Sequence, residues 1–83
     1  MPGIKLQTNL IDFFDKLDES FESKYGLPPK AYLAGENILM ACAHYPQSPL
    51  IKQNPLTKNW EWKGRKIFFT AQLSPNEGLG ILV

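Results

Sequence analysis

The chain has 83 residues, of which 43% are apolar and 12% aromatic. It is therefore long enough for one small domain with a hydrophobic core, and too apolar for a disordered segment. The net charge of +1 lacks the pronounced basic excess of typical nucleic-acid-binding domains. A single cysteine excludes an internal disulfide, and no apolar run approaches the roughly 18 to 20 residues of a membrane-spanning helix.

We expect one domain over residues 1–83, located in a reducing cytoplasm or in a virion assembled there. The first residues, Met1 to Lys5, lack the apolar core of a signal peptide. No membrane partner is expected.

The clearest predicted element is an amphipathic helix from Asn9 to Tyr25. Its apolar residues recur at steps of three and four and so share one face: Leu10, Phe13, Phe14, Leu17, Phe21 and Tyr25. Thr8 or Asn9 can cap its start, and Gly26 followed by Pro28-Pro29 ends it. The polar residues include five carboxylates: Asp12, Asp15, Asp18, Glu19 and Glu22. We expect these to be solvated rather than to act in acid–base chemistry.

A short strand over Ala31 to Leu33, a turn at Ala34-Gly35 and a second helix are predicted next. The second helix spans Glu36 to Tyr45 and ends at Pro46, and because Met40, Ala41 and Ala43 leave it almost no polar face, it is predicted to be buried. A continuous apolar run can also be a central strand, and periodicity does not separate the two. We favour the helix because alanine, leucine and methionine are strong helix formers.

The stretch from Pro46 to Asn59 is predicted to be a loop, in which Leu50 to Lys52 could form a short edge strand. Near the end of the chain, a turn over Ser74 to Gly78 and a strand over Gly80 to Val83 are predicted. Together the elements predict an α+β fold. In this fold, an amphipathic N-terminal helix and a buried second helix pack on one face of a small, mostly antiparallel sheet with a C-terminal β-hairpin and strand.

The most informative segment is Trp60 to Thr70, where large alternating side chains flank the step Lys63-Gly64. This pattern predicts a β-hairpin with aromatic strands and a basic turn. Tryptophan and arginine are preferred anchors of protein interfaces. The candidate partner-binding residues are Trp60, Trp62, Lys63, Arg65, Lys66 and Phe68. The competing interpretation is that the rings belong to the core, because so small a chain needs its tryptophans for burial.

The charges are distributed unevenly along the chain. The N-terminal helix carries five acidic residues against Lys16 and Lys24, whereas Leu50 to Thr70 carries five basic residues against Glu61. An acidic helix and a basic hairpin can face each other across the fold, or they can offer two differently charged docking faces. We favour the first alternative.

Cys42 and His44 are the residue types of a catalytic nucleophile and its base. On a helix, a spacing of two residues points them about 200° apart, and on a strand nothing nearby would orient the base. One cysteine and one histidine show no metal-ligand spacing. A phosphate-binding loop requires glycines that follow a strand and open a helix, and Gly78 and Gly80 do not have this position. The sequence therefore predicts a non-enzymatic protein without a metal or cofactor.

The last third of the chain, WEWKGRKIFFTAQLSPNEGLGILV, joins the Lys63-Gly64 hairpin to a turn over Leu73 to Gly78 and a terminal apolar strand. It resembles the C-terminal ending of small phage- or prophage-encoded proteins. The resemblance covers Trp60 to Val83, under a third of the chain. It implies a short accessory or virion-assembly protein that acts by protein contact, and it transfers no catalytic residue.

The leading hypothesis is a protein-binding or assembly module whose partner is another protein, from a host or a virion. The alternative is a small nucleic-acid-binding domain that uses the basic aromatic hairpin for single strands. A homodimer through a sheet edge is also plausible, because a short sheet can extend through its edge strand.

Overall fold

The computed structural model describes residues 4–7, 9–45 and 49–82, which form two helices on one side of a six-stranded sheet. Helix α1 spans Leu10–Tyr25 and α2 spans Glu36–His44. The strands are β1 Ile4–Lys5, β2 Ala31–Ala34, β3 Ile51–Gln53, β4 Trp60–Trp62, β5 Arg65–Phe69 and β6 Glu77–Ile81. The predicted α+β fold is confirmed.

Helix α1 has the ends that its sequence predicts. The side-chain oxygen of Asn9 accepts a hydrogen bond from the backbone N–H of Asp12 at 2.9 Å, which satisfies a free donor of the first turn. Gly26 adopts a left-handed conformation with φ +78°, and its N–H donates to the carbonyl of Glu22 at 2.8 Å. The alternative cap, Thr8, lies outside the described residues.

Helix α2 is a helix rather than a strand, and it is more exposed than its composition predicts. It is buried through Ile38 and Cys42, whereas Met40 on its other side is 53% exposed. It supplies part of the crossover that a parallel pairing of β2 with β5 needs. The predicted stop at Pro46 and the loop residues up to Ser48 lie outside the described residues.

The strand order is β1-β6-β2-β5-β4-β3, and β2 and β5 at its centre run parallel while the other neighbours run antiparallel. The predicted edge strand exists as β3, one residue later than expected. Strand β6 begins at Glu77, three residues before the predicted Gly80, and Val83 lies outside the described residues.

Two glycines let α1 approach the sheet closely. A Cβ atom at Gly78 would lie 2.7 Å from Cζ of Phe13, and one at Gly80 would lie 3.0 Å from Cδ2 of Phe21, as well as 2.8 Å from Cβ of Pro29 after the helix. Any larger side chain at these positions would push the helix layer away from β6. The glycines therefore belong to the packing of the helix layer on the sheet.

The core lies between the helices and the inner face of the sheet. Its centre is a stack of Phe14 on Trp62, with ring centroids 5.2 Å apart, and Tyr32 meets Phe14 edge-on at 5.5 Å. Both helices contribute to this single cluster. The helices therefore cover one face of the sheet, and we call the opposite one the outer face.

Candidate functional site

The predicted hairpin is present, and its turn divides the candidate residues between the two faces of the sheet. Lys63 and Gly64 have φ angles of +51° and +82°, so both central turn residues are left-handed, as in the tight two-residue turns that suit twisted hairpins. Successive strand residues point to opposite faces. Arg65 therefore lies on the inner side, and Lys66 and Phe68 on the outer side, which the burial pattern of β5 supports.

The two tryptophans share the inner face, as their spacing predicts, but neither is a freely exposed anchor. Trp62 is 0% exposed, so this candidate contact residue is not available to a partner. Trp60 is half-buried and packs against the core. The competing interpretation, that the indoles serve burial, describes Trp62 correctly.

Asp18 joins the hairpin to α1, and the expectation that it is a solvated carboxylate is wrong. Its Oδ2 accepts a hydrogen bond from Nε1 of Trp62 at 2.9 Å. Its Oδ1 accepts one from the hydroxyl of Tyr32 at 2.5 Å and one from Nη1 of Arg65 at 3.3 Å. The Asp18 side chain is only 17% exposed. This Asp18 cluster uses the polar atoms of three buried or half-buried side chains to fix the hairpin against the helix.

A weaker ion pair lies beside the Asp18 cluster. Lys63 Nζ is 3.8 Å from Oδ1 of Asp15, and the same ammonium group lies 5.1 Å from the ring centroid of Trp62. The acidic helix and the basic turn therefore face each other, which is the alternative that we favoured. A shallow groove of about 350 Å³ lies between the helix and the turn. Its charged lining residues include the pairs Lys63–Asp15 and Arg65–Asp18, so these charges are already matched within the chain.

The outer face carries an apolar patch across its three central strands. Leu33 of β2 lies beside Phe68 of β5 on one side and Leu79 of β6 on the other. Ala31 lies beside Ile81 in the neighbouring row. We call these five residues the outer patch; Ala31 is 5% exposed, and Leu33, Leu79 and Ile81 are half-buried. Phe68 is its most exposed member, with 40% of its surface accessible.

Charged residues of both signs border the outer patch, and we call them the rim. On one side Glu61 lies between Lys52 and Lys66 in the same row of the sheet. On the other side Lys5 is the register partner of Glu77. An apolar centre with a polar border is the usual anatomy of a protein interface.

A second concave feature lies between α2 and the strands β3 to β5. It is an open cavity of about 350 Å³, and the residues that line it are Leu39, Gln53, Lys58, Asn59, Trp60, Ile67, Phe68 and Phe69. Two candidate residues are among those that line it: Trp60, on the inner face, and Phe68, whose side chain lies on the outer face. The structure therefore brings Trp60, Lys66 and Phe68 near accessible surface, whereas Trp62 and Arg65 are used in the Asp18 cluster.

Cys42 and His44 do not form a catalytic pair. Cys42 is buried, and burial raises the pKa of its thiol from about 9 to about 12, so the thiol stays protonated at neutral pH. His44 is exposed at the end of α2. Among residues 4–7, 9–45 and 49–82, no three histidine, cysteine or acidic side chains cluster as metal ligands would. No helix in the described part of the chain is long and apolar enough to span a membrane.

We expect the free energy of unfolding to fall as the pH rises above about 9. Burial raises the pKa of Cys42 to about 12, and burial with the hydrogen bond to Asp18 raises the pKa of Tyr32 above its ordinary value. Both groups hold their protons more tightly when folded. The stability that they contribute is therefore complete below the unfolded pKa and is lost as the pH rises towards the folded pKa, at up to about 1.4 kcal/mol per pH unit for each group.

Urea titrations at a series of pH values measure this slope. Cys42→Ala should flatten the decline between about pH 9 and pH 10, before Tyr32 contributes. Equal slopes in the variant and the original chain over that interval would show that Cys42 does not link folding to pH.

Comparisons of this chain with protein-family models, with curated proteins and with solved structures found no match. The outer patch with its rim is the candidate functional site.

Proposed function

We propose that this protein is a non-enzymatic protein-binding or assembly module that docks its partner on the outer face of the sheet. The observation that carries the proposal is the apolar outer patch on the three central strands of a face that the two helices leave open. The accessory or virion-assembly role implied by the C-terminal pattern, in the cytoplasm or in a virion, is retained as part of this proposal.

The sheet topology supports a covered outer face. All-parallel sheets are covered on both faces, and their strands are then apolar without alternation; this sheet has one such parallel pair at its centre. Strands β2 and β5 are parallel neighbours, and β2 reads Ala-Tyr-Leu-Ala with apolar side chains on both faces. The helices cover the inner side of this pair. A partner that covers the outer side would bury the apolar side chains that β2 carries on that face.

The chemistry of the outer face favours a protein over a nucleic acid. A platform for single strands needs several exposed rings and a basic groove. The outer patch has one aromatic ring, Phe68, and Lys66 lies next to Glu61 in the sheet. An apolar centre of leucine, isoleucine and phenylalanine side chains suits an apolar protein surface better than a phosphate backbone.

Site-specific photo-crosslinking tests this proposal. The photoreactive residue p-benzoylphenylalanine is placed at Phe68, where it preserves a ring, and in a matched variant at Met40. Met40 has similar exposure, 53% against 40%, but lies on α2 in the helix layer. We expect irradiation in the cells that naturally make this chain to yield polypeptide adducts from position 68 and few from position 40.

Three results separate the possibilities. Polypeptide adducts specific to position 68, identified by mass spectrometry, would support a protein-binding outer face. Adducts of equal yield at both positions, or none at position 68, would reject it. Adducts with nucleic acid alone would favour the nucleic-acid-binding alternative.

A further inference from the structure

We infer that the partner of the outer face is a second copy of this chain, packed sheet against sheet about a two-fold axis. This inference rests on the proposed function, because it names the occupant of the same surface. It differs from a dimer through a sheet edge, since the strands of the two copies would stack rather than hydrogen-bond.

The rim permits self-association electrostatically. It contains three lysines and two glutamates, Lys5, Lys52, Lys66, Glu61 and Glu77. A face of one sign would repel its own copy, whereas this face is nearly neutral and shows both signs on each side of the outer patch. The same balance offers little attraction to a strongly charged partner such as nucleic acid. The charge pattern therefore fits a partner with an equally mixed surface, which a second copy provides.

The position of the apolar residues also suits two-fold symmetry. Leu33 and Phe68 are register partners on β2 and β5, the third and fourth strands of the six. They therefore lie at the middle of the outer face. In a two-fold contact the same patch on both copies is used, and residues near the axis meet their own symmetry mates. Phe68 and Leu33 would form the apolar centre of such an interface, with the rim at its border.

The size of the face predicts a weak dimer. Six strands spaced about 4.8 Å apart span about 24 Å across the sheet. With a rise of about 3.3 Å per residue, the longer strands of four and five residues extend for about 15 Å, so the face covers about 360 Å² in projection. Stable interfaces bury about 800 Å² on each partner. The contact is therefore smaller than a standard interface, and we expect a weak, reversible dimer that forms only at high protein concentration.

Sedimentation equilibrium of the purified chain, from about 1 µM to about 500 µM, tests the inference. The average mass should rise from 9.4 kDa towards twice that value as concentration increases. Phe68→Glu should keep the chain monomeric throughout, because it places a charge at the centre of the contact. Met40→Glu, at a similarly exposed apolar position on α2, should dimerise like the original chain.

The results also distinguish this inference from the proposed function. If the chain stays monomeric at every concentration, the inference of self-association is wrong. Polypeptide adducts from position 68 in cells would then still support the proposed protein-binding function, with a partner other than a second copy. A dimer that persists in Phe68→Glu uses another surface, such as an edge strand, and also overturns the inference. Loss of dimerisation in both glutamate variants would show a non-specific effect of charge and would reject the outer patch as the contact.

Discussion

Replacing Asp18 with alanine is expected to lower the free energy of unfolding by about 3 kcal/mol, a large fraction of the stability of so small a domain. The carboxylate accepts hydrogen bonds from Trp62, Tyr32 and Arg65. Its removal leaves the buried indole N–H without its acceptor and leaves the half-buried guanidinium group without its counter-charge. Unsatisfied buried polar groups cost more than the net value of the hydrogen bonds they lose.

Asp15→Ala is the matched control for this substitution. Asp15 is on the same helix, three residues earlier, but its side chain is 48% exposed, and it lies 3.8 Å from the exposed ammonium group of Lys63. An exposed ion pair of this kind contributes at most about 1 kcal/mol. Urea unfolding followed by tryptophan fluorescence gives both values. Similar losses in the two variants would show that the Asp18 cluster does not hold the hairpin to the helix.

Asp18→Asn separates the shape of the side chain from its charge. The amide keeps one oxygen acceptor and the volume of the carboxylate, but it removes the charge that faces Arg65. The loss should therefore be smaller than in Asp18→Ala, about 1 to 2 kcal/mol.

The Asp18 cluster shows how far helical periodicity predicts a site. The apolar stripe and the capping residues of α1 were enough to predict the helix and its ends. The sequence pattern predicts Asp18 on the solvated face opposite the apolar stripe, yet Asp18 lies four residues after Phe14 and three before Phe21. That spacing places it on the same side of the helix as these two buried rings. Its position relative to the stripe, rather than its residue type, was the feature that could have identified it.

The hairpin shows a second limit of sequence patterns. The step Lys63-Gly64 predicts the turn, and a two-residue spacing predicts that Trp60 and Trp62 share a face. Which face is covered depends on the side to which the helices pack, and strand periodicity alone cannot decide that. The parallel pairing of β2 with β5 was equally inaccessible, because short strands with apolar residues on both faces fit several orders. Strand β1 has two residues and no periodic pattern at all.

Replacing Trp62 with alanine should have the largest effect on stability, about 4 kcal/mol. The indole is fully buried, is stacked on Phe14 with ring centroids 5.2 Å apart, and donates its N–H to Asp18. Alanine would leave a large cavity at the centre of the core and an acceptor without its donor. Because the variant has lost one of the two tryptophans, far-UV circular dichroism during urea unfolding is the appropriate measurement.

Trp60→Ala is the matched comparison, because the same side chain is removed two residues away on the same face of β4. Trp60 is half-buried and lines the cavity between α2 and the strands, so its loss opens existing surface rather than a closed void. We expect about 1 to 2 kcal/mol. Trp62→Phe should lie between the two, since a ring can still stack on Phe14 while the hydrogen bond to Asp18 is lost. If Trp60→Ala destabilised the chain as much as Trp62→Ala, the two indoles would be equivalent core residues. In that case Trp60 would not be a surface residue available for binding.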